Sequence, residues 1–165
     1  MTKKPLKIIG INPGTRYLGI AVFNGPELMD WRIKVLEGKW SDEKIKKAIG
    51  IMSEITERYE PNVLAIKKLH PSRRSENLLI LTNKIKDFSK RNKLKVYQYS
   101  IKDIENLFLE DGKRNKGNLI EAIAKLYPIL HHDLNRERKH KNPYFFRMFE
   151  AVALASACAQ GLRRS

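Results

Sequence analysis

Three apolar stretches open the chain, over 6–12, 17–24 and 27–36, separated by Pro13-Gly14 and Gly25-Pro26. They predict three strands joined by tight turns. Connections this short imply an antiparallel meander. From residue 42 the pattern lengthens: Ile45, Ala48, Ile49, Met52 and Ile55 recur three and four apart, which predicts a helix over 42–59. Ser41 is its N-cap, Asp42 and Glu43 sit at its positive end, and Pro61 closes it. A short apolar run over 62–66 predicts a buried strand. A helix over 75–91 follows, with Leu78, Leu79, Leu81, Ile85 and Phe88 facing inward, and then a strand over 94–99. The remainder reads as helical, over 101–109 and 118–127, then a polar connection over 131–142 and a final helix over 144–162. That last helix is rich in Ala, Ser and Cys from Ala151 to Ala159, a composition that lets it press closely on a sheet. The order predicts an α/β fold: a five-stranded mixed sheet flanked by helices.

Composition narrows the class. A chain of 165 residues with 42% hydrophobic content suits one domain with a real core. No apolar run is long enough to cross a bilayer, and the N-terminal Met1-Thr-Lys-Lys-Pro5 does not introduce a signal peptide. The single Cys158 cannot form an internal disulfide, which fits a reducing, cytoplasmic setting. Charge adds most: 33 Lys and Arg against 18 Asp and Glu give a net +15. Such a surface attracts polyanions through counterion release, so nucleic acid is the expected partner. A membrane is not, because no amphipathic basic helix stands at either terminus.

Four segments in order carry a family resemblance. They are Ile9-Gly-Ile-Asn-Pro-Gly14 with Gly19-Ile-Ala-Val22, Pro61-Asn-Val-Leu-Ala-Ile-Lys67, Tyr99-Ser-Ile-Lys-Asp-Ile104 with Gly112-Lys-Arg-Asn-Lys116, and Arg147-Met-Phe-Glu-Ala-Val-Ala-Leu-Ala155. Across nearly its whole length the chain resembles the RuvC-type Holliday junction resolvases. The resemblance implies an RNase H-like fold and a nuclease site built from four acidic residues. Such a site holds two Mg²⁺ about 4 Å apart, one activating water and one stabilising the leaving oxygen.

Here the acids are largely gone. The matching positions are Asn12, Lys67, Arg147 and Glu150, and only Glu150 is a carboxylate. One neutral amide, two cations and one carboxylate leave a net +1 where four acids would give −4. A positive site repels Mg²⁺ rather than concentrating it. Lys67 and Arg147 are instead able to pair with Glu150. No intact catalytic set, metal site or cofactor is therefore expected.

Basic residues cluster elsewhere. Lys68, His70, Arg73 and Arg74 leave the second motif and run into a helix N-terminus, where free N–H groups favour phosphate. Lys113, Arg114 and Lys116 sit where the resembling family places cations near DNA. Arg136, Arg138, Lys139 and Lys141 precede the final helix, followed by Tyr144, Phe145 and Phe146, of which at least two belong to the core. His131-His132-Asp133 has metal-ligand chemistry, but adjacent residues on one element do not face the same way.

The expected function is thus a catalytically inactive RuvC-like protein binding branched DNA or structured RNA. One alternative is an active Mg²⁺- or Mn²⁺-dependent junction endonuclease with a relocated site, using Glu150 with Asp133 or Glu121. Another is an RNase H-like module for a protein partner. A non-cutting relative is released from the need for two symmetric sites, so both a homodimer and a monomer remain open.

Overall fold

The computed structural model describes residues 5–72, 74–140 and 143–164; the side chains of 138–140, 143–144 and 163–164 lie outside that set. In chain order the elements are β1 (Lys7–Asn12), β2 (Tyr17–Asn24), β3 (Glu27–Val35), α1 (Asp42–Tyr59), β4 (Val63–Lys67), α2 (Glu76–Arg91), β5 (Lys95–Tyr99), α3 (Ile101–Phe108), α4 (Lys116–Leu126), a 3-10 turn (Pro128–Leu130), α5 (His131–His140) and α6 (Pro143–Arg164). The sheet runs β3-β2-β1-β4-β5. β1, β2 and β3 pair antiparallel, while β4 lies parallel to β1 and β5 parallel to β4. This is the five-stranded mixed α/β sheet that the order of apolar stretches predicts.

Alternation along each strand divides the core in two. Ile9 and Ile11 of β1, Ile20 and Val22 of β2, and Leu64 and Ile66 of β4 pack with Ala48, Met52, Leu81 and Ile85 of α1 and α2. On the other face Ile8, Ala21, Phe23, Val63 and Ala65 pack under α6 and its neighbours. Asn12 lies two positions beyond Gly10 and four beyond Ile8, and Lys67 lies two beyond Ala65. Both side chains therefore project to the α6 face.

α6 sits unusually close to the strands. A Cβ on Gly10 would come within 2.9 Å of the Ala155 Cβ and strike the Ala151 carbonyl, and one on Gly19 would strike the Arg147 carbonyl. Two strand glycines and the alanines of α6 together set this spacing, as the small-residue run of that helix predicts.

Two boundaries differ from the sequence reading. α4 begins at Lys116, where the Asn115 side chain accepts the Asn118 N–H at 2.8 Å. The stretch expected to be a polar connection over 131–142 is a helix over His131–His140. Leu130 and Leu134, four apart and both buried, anchor it to the core. An apolar stripe that narrow is hidden among charged residues. Among the described residues no helix is long and apolar enough to cross a membrane.

Candidate functional site

The ends of β1 and β4 and the first half of α6 meet at Glu150. This carboxylate is 2% exposed and accepts from two strands. Asn12 Nδ2 donates to Oε2 at 2.9 Å, and Lys67 Nζ lies 3.0 Å from Oε1 and 3.1 Å from Oε2. A carboxylate only accepts, so it fixes the orientation of the Asn12 amide, with nitrogen inward. Asn12 Oδ1 is left buried without a hydrogen-bond partner among the described residues. The sequence places these three residues on distant segments; strand alternation and the close seat of α6 bring them together.

The charge at this point is balanced internally. The Lys67 ammonium, itself partly exposed, neutralises the buried Glu150, and both carboxylate oxygens are committed. Mg²⁺ wants near-octahedral oxygen ligation with carboxylates supplying negative charge. One saturated carboxylate, one amide oxygen and an ammonium do not fit that requirement. Among the described residues no three His, Cys, Asp or Glu side chains converge on a common point.

Arg147 departs from the expected pairing. It is one turn before Glu150, yet its guanidinium does not reach the carboxylate. It lies against Gly14 in the β1–β2 turn, where a Cβ would come within 2.9 Å of the Arg147 Cζ. It has no carboxylate partner among the described residues, so its charge remains available to a ligand. Only its carbonyl faces Asn12, 3.5 Å from Nδ2.

A second cation supports the same turn. Lys44, on the first turn of α1, is buried, and its Nζ donates to the Thr15 carbonyl at 2.8 Å. Its position beside Ser41 and Asp42 reads as solvated helix surface, and nothing in the local pattern reveals the contact.

No family model matches this sequence, and no curated protein matches it. Solved structures do. RuvC of Thermus thermophilus in complex with a Holliday junction substrate superposes with a TM-score of 0.75 at 15% identity, covering 97% of this chain and 96% of that one. A second T. thermophilus RuvC structure gives 0.74 at 16% identity, with 96% of each chain covered. The yeast mitochondrial Holliday junction resolvase Ydc2 gives 0.66 at 11% identity, over 97% of this chain and 80% of that one. The fold is the RuvC type of the RNase H-like class.

On this RuvC-type fold the predicted basic residues separate. Lys68, His70 and Arg74 are exposed on the segment between β4 and α2, close in sequence to Lys67. Lys68 N–H donates to the Tyr99 carbonyl at 2.8 Å, His70 Nδ1 meets Ser72 Oγ at 2.7 Å, and Ser75 caps α2. Lys113 and Arg114 are exposed and pair with Glu110 at 3.8 Å and Asp111 at 2.6 Å. Such exposed pairs hold little energy and open easily to a phosphate. Lys116 lies 4.9 Å from the centroid of the Phe146 ring, and Arg136 4.6 Å from that of Phe145. Phe145 and Phe146 are buried. Arg73 and Lys141 fall outside the described residues, as do the side chains of Arg138, Lys139 and Tyr144. The geometry also contains a contact that the sequence reading did not foresee: Trp31 Nε1 donates to Asp133 Oδ2 at 3.0 Å.

Proposed function

We propose that this chain is a RuvC-like protein that binds branched DNA without cutting it. The observation that carries this reading is the Lys67 ammonium bonded to both oxygens of Glu150. An internal cation takes the role that a metal would have in a nuclease, and it supplies neither an activated water nor a mobile Lewis acid. What remains suited to a polyanion is the surrounding charge: Arg147 against Gly14, Lys68, His70 and Arg74 beyond β4, and the net +15 of the whole chain. The similarity to a resolvase whose structure holds a Holliday junction substrate supports DNA as the polymer. A relocated nuclease site lacks an equivalent support: Asp133 is bonded to Trp31 at the β3 edge, two strands from the cluster that holds Glu150, and no three His, Cys, Asp or Glu side chains gather among the described residues.

The test is a binding panel of four-way junction, linear duplex, single-stranded DNA and hairpin RNA, each with Mg²⁺ and with EDTA. The junction should bind tightest, with no dependence on metal and no cleavage. If about six phosphates are contacted, the log–log salt slope should lie near −5. Changing Lys68 and Arg74 to Ala should make it shallower. Preference for hairpin RNA would replace the DNA reading, metal-dependent cleavage would replace the non-cutting one, and a flat salt response would remove the nucleic-acid role.

A further inference from the structure

A cleft of about 190 Å³ opens on the sheet edge, between β3, α5 and α6. Trp31, Arg32 and Ile33 line it from β3, Asp133 and Arg136 from α5, and Phe145 and Met148 from α6. It is smaller than the roughly 300 Å³ at which sites for drug-sized ligands begin, so it suits one ring system rather than a whole cofactor. None of these residues belongs to the Asn12–Lys67–Glu150 cluster.

The cleft chemistry is specific. Asp133 Oδ2 accepts the Trp31 indole N–H and keeps a second lone pair, while Oδ1 has no hydrogen-bond partner among the described residues, so both oxygens can still receive donors. The Arg136 guanidinium lies over the Phe145 ring at 4.6 Å, presenting a flat cationic face. Arg32, the second cation of the lining, is committed to Asp30. An anionic ligand would be repelled by Asp133, and a cationic one by Arg136 and the +15 field. A neutral planar ring bearing N–H donors meets neither objection.

Among the nucleobases this selects one. A carboxylate wants two adjacent donors, and guanine offers N1–H beside its exocyclic amino group. Adenine and cytosine place a bare ring nitrogen beside the amino group, and thymine or uracil flanks its N–H with two carbonyls. Each of those would set a lone pair against the carboxylate. Unstacked bases are commonly held by aromatic and guanidinium faces and read on this same edge.

Position supports the choice of an attached base. Ile33 pairs with Gly19, and Gly19 pairs with Asn12, so the cleft lies two strands from the central cluster. At the usual strand spacing that is about 10 Å. One polyanion touching Arg147 is close enough to reach the cleft. We propose that the Trp31–Asp133–Arg136 cleft receives a single unpaired guanine from the bound nucleic acid, stacked on the Arg136–Phe145 pair with its donor edge on Asp133. This rests on the nucleic-acid reading above.

The test uses short duplexes carrying one unpaired residue: guanine, inosine (which lacks the exocyclic amino group), adenine, or an abasic spacer. Affinities are measured by fluorescence anisotropy at fixed salt. Guanine should bind at least about tenfold tighter than the abasic spacer, within the range that base stacking gives, with inosine between. Asp133→Asn keeps an acceptor for the Trp31 N–H while presenting an amide edge. It should erase the guanine preference and leave abasic binding unchanged. Arg136→Gln should lower guanine affinity in the same assay if Asp133→Asn proves unstable. Equal binding to all four duplexes, or a guanine preference that survives both changes, overturns the cleft assignment while the nucleic-acid reading stands. Binding to none of them overturns that reading itself.

Discussion

Lys67 and Glu150, 83 positions apart, form an ion pair between the end of β4 and the first half of α6, with Nζ 3.0 Å from Oε1 and 3.1 Å from Oε2. The Glu150 side chain retains 3% of its exposure and Lys67 27%. The pair is thus a closed end and an open end of one contact. Removing the cation strands a buried carboxylate, whereas removing both charges relieves two desolvation costs at once.

Lys67→Ala should therefore destabilise the fold by about 3 kcal/mol, the low end of the range for breaking a buried pair. The double replacement Lys67→Met with Glu150→Leu should be near neutral or more stable than the parent. Urea unfolding of the parent, Lys67→Met, Glu150→Leu and the double variant closes the cycle. An unchanged midpoint for Lys67→Ala would show that Glu150 gains nothing from the ammonium.

Restoring acids at the cluster should create a metal site. Asn12→Asp with Lys67→Glu, beside the existing Glu150, takes the local charge from zero to −3. Arg147 can be left alone, because its guanidinium lies on Gly14 rather than in the cluster. The metal-free variant should be less stable than the parent through carboxylate repulsion. Millimolar Mg²⁺ or Mn²⁺ should raise its melting temperature by linkage and leave the parent unmoved. A folded variant that ignores both ions would mean that the three positions do not share a ligand point.

The seat of α6 on the sheet predicts opposite effects at two glycines. Gly10→Ala drives a methyl group into the Ala151 carbonyl and the Ala155 methyl, and should cost about 1–3 kcal/mol. Gly50, exposed on α1, has nothing within 4 Å of its added Cβ, so Gly50→Ala should stabilise by about 0.5–1 kcal/mol. Thermal melts of the two variants side by side would expose an error in the packing of α6 as a failure of the first effect alone.

Asp30 should make the fold acid-sensitive at the β3–α1 contact. Burial pushes its pKa up, but hydrogen bonds from Arg32 and from the Tyr59 hydroxyl at 2.8 Å outweigh that and leave it below the ordinary carboxylate value. Its contribution is therefore fully present above the ordinary carboxylate pKa and is lost as pH falls through the lowered one. Asp30→Asn should cost about 1–2 kcal/mol near neutrality and progressively less in strong acid. Stability-against-pH curves that run parallel for the two proteins would remove Asp30 as the source.

The sheet was legible in the sequence because β1 to β4 are compact apolar runs with Pro or Gly beside them, and β5, Lys95–Tyr99, is a short β-branched and aromatic run between two helices. Asn12, Lys67 and Glu150 were legible as a set through their motif positions, and alternation from Ile8 and from Ala65 gave the face. Arg147 was harder: one helical turn from Glu150 allows a pair, and only the bare surface of Gly14 offers it another seat. The buried seat of Lys44 is not legible in its helix pattern, because the Thr15 carbonyl that holds it comes from a distant turn. α5 is not legible because Leu134, with Leu130 in the turn just before the helix, is a thin apolar stripe among charges. With α5 went the Trp31–Asp133 bond, which joins a sheet edge to a helix that had been read as a connection.

α6 carries Glu150 into the central cluster, Arg147 one turn before it onto Gly14, and Phe145 and Met148 into the edge cleft. The two pairs are offset by two residues, about 3 Å along the axis and a little over half a turn around it. Gly10 and Gly19 grip that helix by its own backbone, so it cannot slide without a steric collision. The helix therefore behaves as a gauge block: the separation between Arg147 and the cleft is machined into the packing, and a nucleic acid bound in the proposed way would have to match that length or forgo one of the two contacts.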